Sequence, residues 1–351
     1  MNDFARHDLR HALSPRGWWH LRPVDRALVS ALRAMTGANI VLVAVVLAGH
    51  TELAPAAAFG GMTAVHARFE PYPVRARVLA VIGAGLTLAV GLGSAAAALG
   101  WGPLPTAVLV AAVAGAAKLF TDGIRSGPPG GLMFVFAVGT TSANPTDWPG
   151  VGAQLGAAAA GAVVAWVVAL SGWLFFGSGR GRTTAWRDGL RSALTRTSHE
   201  WPRAVKVFAA VLAAGLLAHA IGLGHPYWAT VAAAAVLQAT HLQHTMHRFL
   251  QRVCGTVIGV LVAALVLTLD LPQPVKLALI VVALLGAELT VIRNYGIAMV
   301  FVTPLVLLLG SLSAPVDTLA VTADRLVETV LGAAIGLGAA LVRPGRGYQL
   351  A

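Results

Sequence analysis

Arg325 and Glu328 stand three positions apart in an otherwise apolar run and are the strongest chemical signal in this 351-residue chain. A charge near the middle of a membrane helix costs about 2.5–3.5 kcal/mol on insertion scales, so such residues are rare and can be weighed one at a time. Residues i and i+3 share a helix face. Two readings follow: an internal ion pair that locks helices together, or an arginine that faces a pathway and attracts an organic anion. In the second reading Glu328 balances the arginine or carries a coupling proton. Tyr227, Trp228 and His225 open another apolar run and complete the candidate substrate-binding set. An interfacial aromatic belt is the competing explanation for Tyr227 and Trp228.

The remaining polar residues offer less. Arg33 stands about two turns into the first apolar run, close enough to snorkel back to the surface. His50, His66, His219, His225, His241, His244 and His247 mostly fall at the ends of apolar runs. His241, His244 and His247 have the spacing of metal ligands on one helix face, but no carboxylate or cysteine stands beside them, so boundary histidines are the better description. Cys254 is the only cysteine, which excludes an intramolecular disulfide framework. No phosphate-binding loop, dinucleotide fingerprint, nucleophile elbow or His-Glu-x-x-His pair occurs. We therefore expect no enzyme activity, no cofactor and no metal.

The elements that must position these residues are membrane helices. The chain is 57% hydrophobic and 11% charged, against about 25% charged in an ordinary soluble domain. Apolar segments recur at 27–49, 51–66, 74–98, 103–121, 130–144 and 150–176, and again at 204–223, 226–241, 249–269, 273–292, 295–311 and 319–342. The second and fifth of each set are short. The expected fold is all-α, a polytopic transmembrane bundle of twelve spans.

Charge placement favours all twelve crossing. The net charge of +11 comes from 25 Lys and Arg, which sit mainly in alternate gaps: Arg6 to Arg26, Arg68 to Arg77, Lys118 and Arg125, the stretch from Arg180 to Lys206, Arg248 and Arg252, Arg293, Arg343 and Arg346. The opposite gaps hold Glu52, Asp147, Asp270 and Asp317 and almost no cations. That asymmetry is the positive-inside pattern, with both termini in the cytoplasm, and it argues for a lipid partner and no nucleic acid. Residues 1–26 have no apolar core of the kind a cleavable signal needs, and Trp18 and Trp19 read as an interfacial anchor.

An offset of 175 residues aligns Gly49-His50 with Gly224-His225, His66 with His241, and Arg77-Val78 with Arg252-Val253. The expected organisation is a cytoplasmic segment 1–26, a six-span repeat 27–176, a basic linker 177–203, a second six-span repeat 204–343 and a tail 344–351. Even numbers of spans give both repeats the same orientation. Within the linker, Trp186, Leu190, Ala193 and Leu194 have helical spacing, with Arg187, Arg191 and Arg196 elsewhere, as in an amphipathic helix on the cytoplasmic leaflet. Gly152 and Gly156, Gly255 and Gly259, and Gly332 and Gly336 read as packing faces for close helix approach.

From Gly224, GHPYWATVAAAAVLQ and then HRFLQRVCGTVIGVLVAALV, RNYGIAMVFVTPLVLLL and DRLVETVLGAAIGL resemble the fusaric acid resistance-like family, which includes aromatic acid exporters. The resemblance covers roughly 200–342 and is fainter over 25–176, where an Arg/Glu pair is missing from the sixth span, so any site is expected to be asymmetric between halves. It implies a membrane permease-like unit in a bacterial cytoplasmic membrane that exports small aromatic or other organic acid anions, with a homo-oligomer or an accessory export subunit as partner. Similar plant proteins conduct malate, which keeps an organic-anion channel open as an alternative; a non-transporting membrane scaffold is the third reading.

Overall fold

The computed structural model describes residues 27–176, 190–191, 195, 200–239, 242–312 and 316–342. The N-terminal segment, most of the basic linker, His241, Arg343 and Arg346 lie outside the described residues. Among those described, the regular elements are all helical. We number the main helices α1 (Ala27–Leu47), α2 (Ala54–Gly61), α3 (Tyr72–Ala98), α4 (Pro103–Gly123), α5 (Leu132–Ala143), α6 (Trp148–Leu170), α7 (Glu200–Ala220), α8 (Tyr227–Val236), α9 (Leu242–Leu267), α10 (Gln273–Val291), α11 (Tyr295–Gly310) and α12 (Thr318–Leu341). Each answers to one apolar segment of the sequence.

Local chemistry explains the helix starts. Proline in the first turn opens α3, α4, α6 and α10, where its missing N–H costs nothing. Asp147 accepts from the Gly150 N–H to cap α6, Asn294 from Ile297 to cap α11, and Asp317 from Leu319 and Ala320 to cap α12. Two of the acidic residues in the cation-poor gaps are therefore helix caps.

Six helices, α3, α4, α6, α7, α9 and α10, are long and apolar enough to cross a membrane. The 24-residue α12 has the length too but carries Asp324, Arg325 and Glu328. Helices α2, α5, α8 and α11 have 8, 12, 10 and 16 residues. At about 1.5 Å per residue the shortest rises only about 12 Å. Single-turn 3-10 segments at Thr51–Leu53 and Met62–Val65 flank α2.

The described residues divide into two compact units, one within 32–216 and one made of 217–342 with 27–31. In the first unit α2 and α3 pack on α6, α5 packs on α3, and α4 on α5. A Cβ on Gly60 would strike the Ala158 carbonyl, and one on Gly161 the Ala57 carbonyl, so α2 and α6 touch backbone to backbone. Helix α7 lies on α4, with Gly115 against Ala204 and Phe208. In the second unit α8 and α9 pack on α12, α11 on α9, and α10 on α11. There Gly332 meets Ala229, Gly336 meets Ala233, Gly255 meets the Gly296 carbonyl and Gly259 meets Thr303. The expectation for Gly152 and Gly156 is corrected: both are exposed, and a Cβ on either meets nothing.

Candidate functional site

The five candidate residues come together where the start of α8 meets the second and third turns of α12. Asp324 and Glu328, one turn apart on α12, accept two successive backbone N–H groups just ahead of α8. Gly224 N–H donates to Asp324 Oδ2 at 3.2 Å, and His225 N–H donates to Glu328 Oε1 at 2.8 Å. These N–H groups stand beside the positive end of the α8 dipole, which favours carboxylates. His225 Nδ1 also lies 3.2 Å from Asp324 Oδ2, and its ring stacks on Trp228 at 4.4 Å between centroids. Tyr227 meets Trp228 edge to face at 5.5 Å.

Arg325 is fully buried, with its guanidinium carbon 5.0 Å from the Trp228 ring centroid. Its Nε, Nη1 and Nη2 have no hydrogen-bond partner among the described residues. No ion pair joins it to Glu328; the carboxylate turns to His225 instead, and Glu328 Oε2 is also unpartnered. The internal ion pair, one of the two readings of this motif, is thus not formed. Among the described residues an indole face lies against this buried guanidinium, an interaction of about 2 kcal/mol when desolvated.

Two neighbours of the site were not singled out from the sequence. Asp324 holds His225 from the turn before Glu328. Arg252, read from the sequence as a cation in a gap, stands ten residues inside α9 and is fully buried. It donates from Nη1 to the Tyr295 hydroxyl at 2.7 Å. Arg252 and Tyr295 both lie close enough to Arg325 to act on its charge. The signal that would have marked Arg252 is the long apolar run on its C-terminal side, VCGTVIGVLVAALVL, after nearly three turns of mixed polar and apolar residues.

His225, Asp324 and Glu328 each bring one ligand atom within 4.8 Å of the others, the spacing of a metal site. Arg325 beside them and the positive end of α8 both oppose a cation there. Of the other histidines, His66 is fully buried and shares a hydrogen bond of 3.2 Å with the Gly130 carbonyl, so it holds backbone together. Arg33 donates to the carbonyl of buried Arg68 at 3.4 Å, just ahead of α3. Among the described residues of the first unit, α6 carries no Arg/Glu pair: its buried polar side chain is Gln154, which accepts from Ser94 Oγ at 2.6 Å.

Comparison with known proteins meets this site directly. The chain is 35% identical over 154 residues to an uncharacterized membrane protein of Bacillus subtilis (strain 168), an alignment covering 42% of this chain and 24% of that one. An uncharacterized protein of Synechocystis is 27% identical, over 45% of this chain and 21% of its own length. One from Neisseria gonorrhoeae is 29% identical, over 43% and 36%. The chain therefore spans between about a fifth and about a third of the length of these relatives. No solved structure matches. The family model of the fusaric acid resistance protein-like proteins matches residues 209–339, from α7 through the whole of the site to the end of α12. Residues 209–339 of this membrane protein are thus similar to the fusaric acid resistance protein-like proteins, the family its residues resemble.

Proposed function

We propose that the protein is an integral membrane transporter whose second half binds small organic acid anions at Arg325, and that it exports them down an ion gradient. The observation that carries this reading is the Arg325 guanidinium: fully buried, over Trp228, with all three nitrogens unpartnered among the described residues. A buried unpaired charge is strongly destabilising, so a partner that comes and goes accounts for its retention. Glu328 supplies the opposite charge one turn away without quenching the arginine, and Tyr227, Trp228 and His225 give the site an aromatic wall. Other buried polar atoms without partners, on Thr256, Thr303 and Thr329, belong to the same helices, α9, α11 and α12. That is a polar interior, as a solute path needs.

We further propose twelve membrane segments in two parallel six-segment repeats, with both termini in the cytoplasm of a bacterium. Supporting this, both halves run long, short, long, long, short, long. Both also use the same pairs, second on sixth, third on fifth and sixth, fourth on fifth.

The test is export of benzoate and related aromatic carboxylates from proteoliposomes, with and without a proton gradient. Wild-type protein should move at least one of them, and Arg325→Gln should abolish movement while the protein still reaches the membrane. Undiminished export by Arg325→Gln would remove the site. Currents from purified protein in planar bilayers would replace the transporter with an anion channel.

A further inference from the structure

We propose that Arg252 is the second arm of this site, so that one oxyanion is held by Arg252 and Arg325 together while the Tyr295 hydroxyl keeps Arg252 aimed at it. This rests on the anion-binding reading of Arg325.

Arg252 is as completely enclosed as Arg325. It comes from α9, which packs directly on α12. Its Nη1 is taken by Tyr295 Oη, with Met299 Sδ at 3.5 Å, while Nε and Nη2 have no partner among the described residues. With the three nitrogens of Arg325, this leaves five unpartnered guanidinium nitrogens among the described residues, on two buried side chains of which Arg252 lies close enough to act on Arg325.

Two like charges buried near each other in a low-dielectric interior repel strongly. One anion between them offsets that repulsion and supplies acceptors to both. Glu328 does not do this for Arg252: its Oε1 is held by His225 N–H. Arginine forks match the two oxygens of a carboxylate, so the ligand class is an oxyanion with at least two acceptor oxygens rather than a halide. Tyr295 is tied in from a third direction, because Arg248 lies over its ring at 4.9 Å. The phenol is therefore fixed and can hold Arg252 in one rotamer.

A purely structural Arg252 would serve only to brace α11 through Tyr295, and binding measurements separate the two roles. Purified full-length protein in lipid nanodiscs is titrated with radiolabelled benzoate, with chloride as competitor, and the melting temperature of each variant is recorded alongside. Wild type should bind benzoate and resist chloride. Arg325→Gln should lose binding. Arg252→Gln should weaken it about tenfold or more, the usual effect of removing a hydrogen bond to a charged group. Arg252→Lys should fall between, and Tyr295→Phe should weaken binding several-fold with little change in melting temperature.

Wild-type affinity in Arg252→Gln, with binding lost in Arg325→Gln, overturns the two-arm site and leaves the Arg325 reading intact. Wild-type affinity in Arg325→Gln, or no benzoate binding by the wild type, overturns both. Should Arg252→Gln fail to fold, Arg252→Lys and Tyr295→Phe carry the test: wild-type affinity in both of them overturns the proposal.

Discussion

Arg325 is tolerable where it stands because Trp228 presents an aromatic face to it, and that dependence makes a direct prediction. Replacing Trp228 with Phe keeps a ring and should lose at most about 1 kcal/mol, since indole is the better cation partner. Replacing it with Ala removes the ring, the stack with His225 and the packing against Ala263, Leu307 and Val321. That change should cost about 3–5 kcal/mol, the range for deleting a buried tryptophan, and should be read as a fall in melting temperature in detergent. A companion prediction concerns Glu328→Gln. The amide oxygen can still accept from His225 N–H, so folding and surface expression should survive while gradient-driven export falls; unchanged export by this variant would deny Glu328 a part in transport. At this scale the candidate site was legible because charges inside apolar runs are scarce, and Arg325, Glu328, His225, Tyr227 and Trp228 do meet. Arg252 was passed over despite the apolar run that follows it, because a residue ten positions into a helix with a polar first turn looks like a boundary cation. Only the packing of α9 on α11 and α12 encloses it. Asp324 went unmarked for a similar reason: its role is to hold His225, a residue 99 positions away.

Between elements, glycine decides how near two helices come. Spacing alone puts Gly152 with Gly156, and Gly332 with Gly336, on one face each, and says nothing of whether that face is covered. The fold separates the cases. A Cβ at Gly332 collides with the Ala229 backbone, whereas at Gly152 and Gly156 it meets open space. Gly332→Ala should therefore push α8 off α12 and destabilise the protein by about 1–3 kcal/mol, the usual cost of overpacking. Because His225 and Trp228 stand at the start of α8, benzoate binding should weaken along with stability. Gly156→Ala should leave both within error, or raise stability slightly through helix propensity. Thermal unfolding of the two variants in parallel checks this, and equal losses would refute the backbone-contact interface. The lengths of the short helices were legible only as short apolar segments. What the sequence carried only weakly is where each stops: α2 ends on Gly60 and Gly61 without a proline, passes into a 3-10 turn and then extended backbone at His66.

For the molecule as a whole, the open question is whether the short segments carry the chain across the bilayer. Take the stretch from Thr51 to Glu70. Its 15 helical residues, from Thr51 through α2 to Val65, rise about 22 Å at 1.5 Å each or slightly more in the 3-10 turns. Of the five further residues His66 is extended, while Ala67 to Glu70 form a turn closed by the Glu70 N–H on the Ala67 carbonyl, so they add little length. The helical part falls short of the roughly 30 Å of a hydrocarbon core, and a crossing here needs local thinning of the bilayer or protein cover over its non-helical end. Non-helical backbone is admissible at that depth when protein covers it, and residues 63 to 68 are buried. Full crossing by all twelve segments puts Trp101, Ile221 and Thr268 outside and Glu70, Gly127 and Arg191 inside, as the cation distribution requires. Single cysteines at these six exposed positions, in a Cys254→Ala background, should react with a membrane-impermeant maleimide on intact cells in the first group only. The second group should react once the membrane is opened. Labelling at Glu70→Cys from outside would show that the second segment turns back. It would invert every later loop of the first half and place the arginines of those loops on the wrong face of the membrane.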